Sequence, residues 1–120
     1  MDKHGIKSIN PATESQYHVD GKYWSSETLR NWADIKQYDV FDLPLKAIDL
    51  SVHAFECNNL YDFIFHLKRL KKVNYDIPII LDDKGRVADG FHCIAKAFYD
   101  GKESIKAVRL LEMPDEDNQN

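Results

Sequence analysis

Apolar residues along the chain fall into short periodic runs separated by polar punctuation. The clearest run is Leu60, Phe63, Ile64, Leu67 and Leu70, an i, i+3, i+4, i+7, i+10 stripe that a helix alone lines up on one face. Asn58 and Asn59 stand where its N-cap belongs, and Lys68, Arg69, Lys71 and Lys72 crowd the end at which the helix dipole favours cations. Such a stripe is expected to face the core, so truncating Leu67 to Ala is expected to cost about 2–5 kcal/mol. An earlier helix is read from Trp24 to about Lys36, with Ser25 or Ser26 capping and Glu27 at the positive end of the dipole. Residues 38–50 are rich in β-formers, and because Pro44 bars a central ladder position the strand is read after it. The apolar run 77–81, the turn residues Asp82, Asp83, Lys84 and Gly85, and then Arg86, Val87 and Ala88 read as strand, turn and short strand. Phe91, Ile94, Ala95 and Phe98 repeat at i, i+3, i+4 and i+7 and predict a helix closing at Gly101, followed by a strand over 105–111.

This order predicts an α+β fold: one domain over residues 21–113, with helices packed on a small mixed sheet. Residues 1–20 are polar, contain Asn10-Pro11 and read as an arm. Residues 114–120 hold no apolar side chain beyond Pro114 and read as an acidic, flexible, solvated tail.

Composition narrows the function classes. A chain of 120 residues with 43% hydrophobic and 12% aromatic content can fill one core, which argues against disorder. Sixteen basic against 20 acidic residues give a net charge of -4, wrong for a histone-like or polybasic membrane-surface protein. Two cysteines and a start without an apolar signal core suggest a cytoplasmic protein, and no run approaches the roughly 20 apolar residues of a membrane span. Self-similarity at a period of about 20–50 residues, the mark of repeat folds, is also missing.

The candidate chemistry sits at the junction of a strand and a helix start. A glycine there lets free backbone amides approach an anion, so Asp89, Gly90, Phe91, His92 and Cys93, with Lys96 on the following helix, form a candidate phosphate site. His92, Lys96 and Tyr99 share a face opposite the apolar one. In the purely structural alternative Gly90 makes a turn, His92 is a surface cap and Lys96 is solvated. Cys93 is either a thiolate favoured by the helix start or a small buried hydrophobe. A zinc set of His53, Cys57, His92 and Cys93 lacks ordinary ligand spacing. Lys68, Arg69, Lys71 and Lys72 are candidates for nucleic-acid phosphates or a solvated helix end. Asp82, Asp83 and Asp89 are Mg²⁺ candidates and Asp89 is also a base candidate, while the first two are equally good turn residues. Tyr23, Trp24 and Trp32 are packing groups or a partner surface.

Residues 77–97, IPIILDDKGRVADGFHCIAKA, followed by Gly101 and IKAVR at 105–109, resemble the ParB/sulfiredoxin superfamily, and FDLPL at 41–45 resembles its first strand. The similarity spans roughly residues 40–111. It implies a ParB-like α+β domain whose loop and helix start hold phosphate, as in DNA-partitioning proteins that bind CTP, and in sulfiredoxins and an ADP-using serine kinase that bind adenine nucleotides. CTP, ATP or ADP with Mg²⁺ are therefore the implied cofactors. Two positions depart from the pattern. Cys93 stands where the superfamily places an arginine after the histidine, and Phe91 stands where sulfiredoxins place their cysteine. The expectation is a binding or regulatory module holding a phosphate of a nucleotide or nucleic acid, more a binder than an enzyme. The alternatives are a phosphotransferase-like enzyme using Asp89 or His92 for proton transfer, and a protein-interaction module with a vestigial pocket and an aromatic N-terminal third facing its partner.

Overall fold

A computed structural model of the chain describes residues 16–51 and 57–117. It is an α+β structure of three α-helices and two sheets among those residues. The first sheet is a hairpin of β1 (Gln16–Val19) and β2 (Lys22–Ser25). Asp20 and Gly21 join the strands with φ of 54° and 77°, the paired positive angles that suit the twist of a tight hairpin. α1 (Ser26–Lys36) follows at once because Ser25 Oγ accepts the Thr28 amide at 3.1 Å.

The second sheet has the order β3-β6-β4-β5, formed by β3 (Val40–Pro44), β4 (Ile79–Leu81), β5 (Val87–Asp89) and β6 (Ser104–Arg109). β4 and β6 run parallel at its centre, and the other pairings are antiparallel. Alternation sends Ile79, Leu81, Ile105 and Ala107 to one face and Ile80, Ala88 and Val108 to the other. α3 (Phe91–Tyr99) covers the first face through Ile94 and Ala97, while α1 and the hairpin cover the second through Leu29 and Trp24. α2 (Leu60–Lys71) packs on α3 rather than on the sheet.

The β4–β5 turn is organised by Asp82, which is fully buried. Its Oδ1 accepts the amides of Lys84 and Arg86 at 3.0 and 2.8 Å, and its Oδ2 accepts Arg86 Nε at 2.7 Å and the Tyr17 hydroxyl at 2.6 Å. Burial pushes its pKa up, but these hydrogen bonds outweigh burial and hold the carboxyl below its ordinary range. Asp82 is thus the turn residue of the two readings offered by the sequence.

Four sequence expectations are corrected. The strand near Pro44 precedes the proline: Pro44 ends β3, a sheet edge where a missing N–H costs no ladder bond, and a 3-10 turn (Leu45–Ala47) follows. The polar arm is shorter than residues 1–20, since β1 places Tyr17 beside Trp24, with ring centroids 6.2 Å apart. The tail is not solvated through 117. Pro114 is buried with its carbonyl accepting the Trp24 indole N–H, and Asp117 accepts the Ser25 amide at 2.7 Å and the Thr28 hydroxyl at 2.8 Å. Polar atoms, not apolar ones, supply that packing.

The fourth correction concerns α2. It forms as predicted, with reciprocal capping in which Asn59 Oδ1 accepts the Asp62 amide and Asp62 Oδ2 accepts the Asn58 amide. Yet Leu60 is 72% exposed, Ile64 44% and Leu67 42%, while the buried residue of the helix is His66, at 7%. The apolar face points outward. No helix among the described residues is long and apolar enough to cross a membrane.

Asp117→Ala should lower stability by about 1–2 kcal/mol, because it removes the acceptor for the Ser25 amide and the Thr28 hydroxyl at the start of α1. Urea denaturation measures this, and an unchanged midpoint would show that the C-terminal strap holds nothing.

Candidate functional site

The strand-to-helix junction forms where it was predicted, with Gly90 as the N-cap of α3. Its φ of 113° is accessible to glycine and strained for other residues. A Cβ there would lie 2.4 Å from Ile79 Cγ2 and 2.7 Å from Ile79 Cβ, so glycine is also required by the closeness of the central strand. Core packing accounts for this residue without a ligand.

The neighbouring candidates are engaged within the protein. Asp89 accepts Ser26 Oγ at 3.1 Å and Arg30 Nε at 2.9 Å, and the other arm of Arg30 donates to the Pro78 carbonyl. This clamp ties α1 to β5 and to the start of β4. Phe91 and Cys93 are half-buried against the cluster around Ile79, and burial pushes the Cys93 thiol up, away from the reactive thiolate. Lys96 belongs to the last turn of α3, where its Nζ meets Asp100 Oδ2 at 2.7 Å. At about 1.5 Å of rise per residue that is on the order of 7 Å along the axis from the first helical amides. Asp100 also accepts the Tyr75 hydroxyl at 2.6 Å. Burial and then Asp100 push that hydroxyl up to about 12, while Lys96 and Tyr75 hold the Asp100 carboxyl below its ordinary range. The structure therefore brings Asp89, Gly90, Phe91, His92 and Cys93 together and leaves Lys96 at the other end of the helix.

His92 is the exception to the exposed face predicted for α3, because α2 lies over it. Its Nε2 is 2.7 Å from His66 Nδ1, and the two rings stack with centroids 5.0 Å apart and planes 26° from parallel. One ring donates and the other accepts. Burial, followed by the charge of Arg69 and by His66, pushes the His92 pKa down from 6.5 to about 4. At neutral pH this imidazole carries no charge to offer an anion.

Turning His66 toward α3 fixes the rest of α2. At about 100° per residue, Ile64, Lys68 and Lys71 lie within about 40° of the point opposite His66, while Leu60 and Leu67 lie about 120° and 100° round from His66 itself, and Phe63 about 60°. Lys68, Lys71 and Lys72 are exposed and have no ion-pair partner among the described residues. Arg69 is half-buried beside the Phe65 ring, 6.0 Å from its centroid, so the basic run divides between two faces. Of the apolar stripe only Leu70 is half-buried.

The remaining candidates are accounted for by packing. Trp24 is buried, and Trp32 donates its indole N–H to the Glu112 carbonyl at 2.9 Å, so the N-terminal aromatics do not form a free surface. Cys57 is exposed, and His53 lies outside the described residues. No group of three His, Cys, Asp or Glu side chains among the described residues is placed to hold a metal ion. Two surface grooves of about 570 and 500 Å³ lie elsewhere, one between Asp20, Lys84, Arg86 and Glu116, the other between Arg30, Tyr38 and Ile77. Neither is lined by residues 89–96. The sequence gives no sign of the Arg30 clamp, and it places His66 at the head of the basic run rather than buried against His92. A polar stripe of Asp62, His66 and Arg69 at i, i+4 and i+7 was the signal for that burial. No protein-family model, curated protein or solved structure matches the chain.

A folded-state pKa below the unfolded 6.5 means that the unfolded chain binds the extra proton first. His92 therefore stabilises the fold fully above about pH 6.5, and that contribution, on the order of 1–2 kcal/mol once solvent screening of a half-buried ring is allowed for, is lost as pH falls toward 4. Urea midpoints between pH 7.5 and 4.5 should fall steadily, and His92→Gln, which does not titrate, should remove most of the slope. An identical slope in the variant contradicts the assignment.

Proposed function

We propose that this chain is a protein-interaction module whose working surface is the outward face of α2. The observation that carries the reading is the inversion of that helix, with a histidine inside and leucines outside. Full burial of an aliphatic or aromatic side chain contributes about 1.5–3 kcal/mol, so leaving Leu60 mostly and Phe63, Ile64 and Leu67 about half exposed forgoes part of that, which a partner can supply. An exposed apolar patch on the order of a few hundred Å² beside charged residues is the usual mark of a protein contact.

Retention of phosphate at residues 89–96 draws less support. Asp89 places a carboxylate there, His92 is neutral, Lys96 is paired at the far end of α3, and Cys93 offers no guanidinium fork. On our reading the resemblance to the ParB/sulfiredoxin superfamily is architectural, with its loop turned to holding α1, β5 and α3 together. A cytoplasmic setting suits two free cysteines.

Three measurements test this. A photo-crosslinking amino acid at position 67, in the cells that make the protein, should give discrete protein adducts that the same group at Glu27 does not. Adducts to nucleic acid, or none, would remove the proposal. CTP, ATP and ADP with Mg²⁺ should leave the amide shifts of residues 89–96 in place; a saturable change there would restore the phosphate reading. Leu67→Asp should alter stability by less than about 1 kcal/mol, against the 2–5 kcal/mol expected of a core leucine.

A further inference from the structure

Resting on that reading, we infer that the occupant of the α2 face is an amphipathic segment of another protein whose apolar side is followed by a cluster of carboxylates.

Charge complementarity along one line of the helix points to this occupant. Leu60, Ile64 and Leu67 follow one another up the outward face, and Lys71 continues the same line one turn later. Lys68 flanks it and Lys72 forms the C-cap. The surface thus begins apolar and ends cationic. Its one helical acid, Asp62, is held by the Asn58 amide, and no carboxylate among the described residues pairs with the three lysines. A ligand that fills the stripe and stops short of the lysines leaves three charges unanswered, so the complementary ligand carries acids at that end.

The same line of residues disfavours other occupants. A second copy lying antiparallel would bring its lysines to the N-terminus of the first α2, which is the positive end of the dipole and has Asp62 already engaged. A parallel copy would set lysine against lysine. A nucleic-acid backbone would satisfy the cations and leave the leucines wet. An anionic membrane would have to accept a chain whose net charge is -4.

The test is selection of a random 16-residue peptide library against the immobilised full chain, with the net charge of the enriched sequences as the readout. The inference predicts apolar residues at i, i+3 or i+4 and i+7 with Asp and Glu gathered toward one end. Lys68→Glu/Lys71→Glu/Lys72→Glu, three exposed positions, should invert that preference to Lys and Arg and weaken the best acidic peptide by on the order of tenfold. Leu67→Asp should abolish enrichment. Apolar peptides enriched without an acidic preference would overturn this inference and leave the docking reading intact. Enrichment that is identical on the wild-type and Leu67→Asp chains would overturn both. A dimer of the chain, a DNA duplex or vesicles containing phosphatidylserine that displaces the acidic peptide through the same residues would also overturn the inference.

Discussion

The hydrogen bond between His66 and His92 sets the direction in which α2 faces. Once His66 is turned onto the start of α3, helical periodicity carries Ile64 and Lys71 to the far side and Leu67 to the edge of it, about 100° round. Two neutral imidazoles can share one proton in this way, one donating and one accepting, whereas two imidazolium rings cannot. Burial keeps His92 uncharged, and α2 adds to that effect through the charge of Arg69 and the neighbouring His66. The contact and the inverted helix therefore depend on each other. The same pairing uses the side chain that the candidate phosphate loop would have needed in its charged form.

Elsewhere the fold is held by carboxylates taken inside and fully answered. Asp82 gathers Tyr17, Arg86 and two turn amides, which joins the hairpin of β1 and β2 to the turn between β4 and β5. Burial and the Asp82 carboxylate push the Tyr17 hydroxyl well above its ordinary range, so it remains a donor. Asp89 gathers Ser26 and Arg30 and ties α1 to the other side of the sheet. Asp117 closes the start of α1. Asp82 and Asp89, which the sequence offers as ligands, thus serve as internal acceptors, and each holds segments far apart in the chain.

Local physics made much of this readable. The turn at 82–85, the apolar strand before it, the Gly90 junction and the helices at 26, 60 and 91 are all specified by nearest neighbours, through caps, periodicity and breakers. Legibility ended where the deciding partner lies far away. Pro44 restricts the ladder equally whether a strand ends at it or begins after it, and the choice depends on β6. Tail residues 114–117 carry no apolar signal because their partners are an indole N–H, an amide and a hydroxyl some ninety positions earlier. The stripe from Leu60 to Leu70 identified the helix and its apolar face correctly; that this face meets the core was an added assumption, which His66 overturns. Gly90 suits a ligand loop and a turn equally in the sequence, which carries no sign that Ile79 lies against it.

The direction of α2 can be measured without altering a residue. In protein carrying labelled leucine and isoleucine methyls, a soluble gadolinium chelate relaxes each methyl according to its distance from solvent. Leu60 should relax as strongly as the exposed Leu111, and Ile64 and Leu67 should relax to an intermediate degree, while Leu29 and Ile79 remain protected. Protection of Ile64 and Leu67 at the level of Leu29 would contradict it, and would return the stripe to the core.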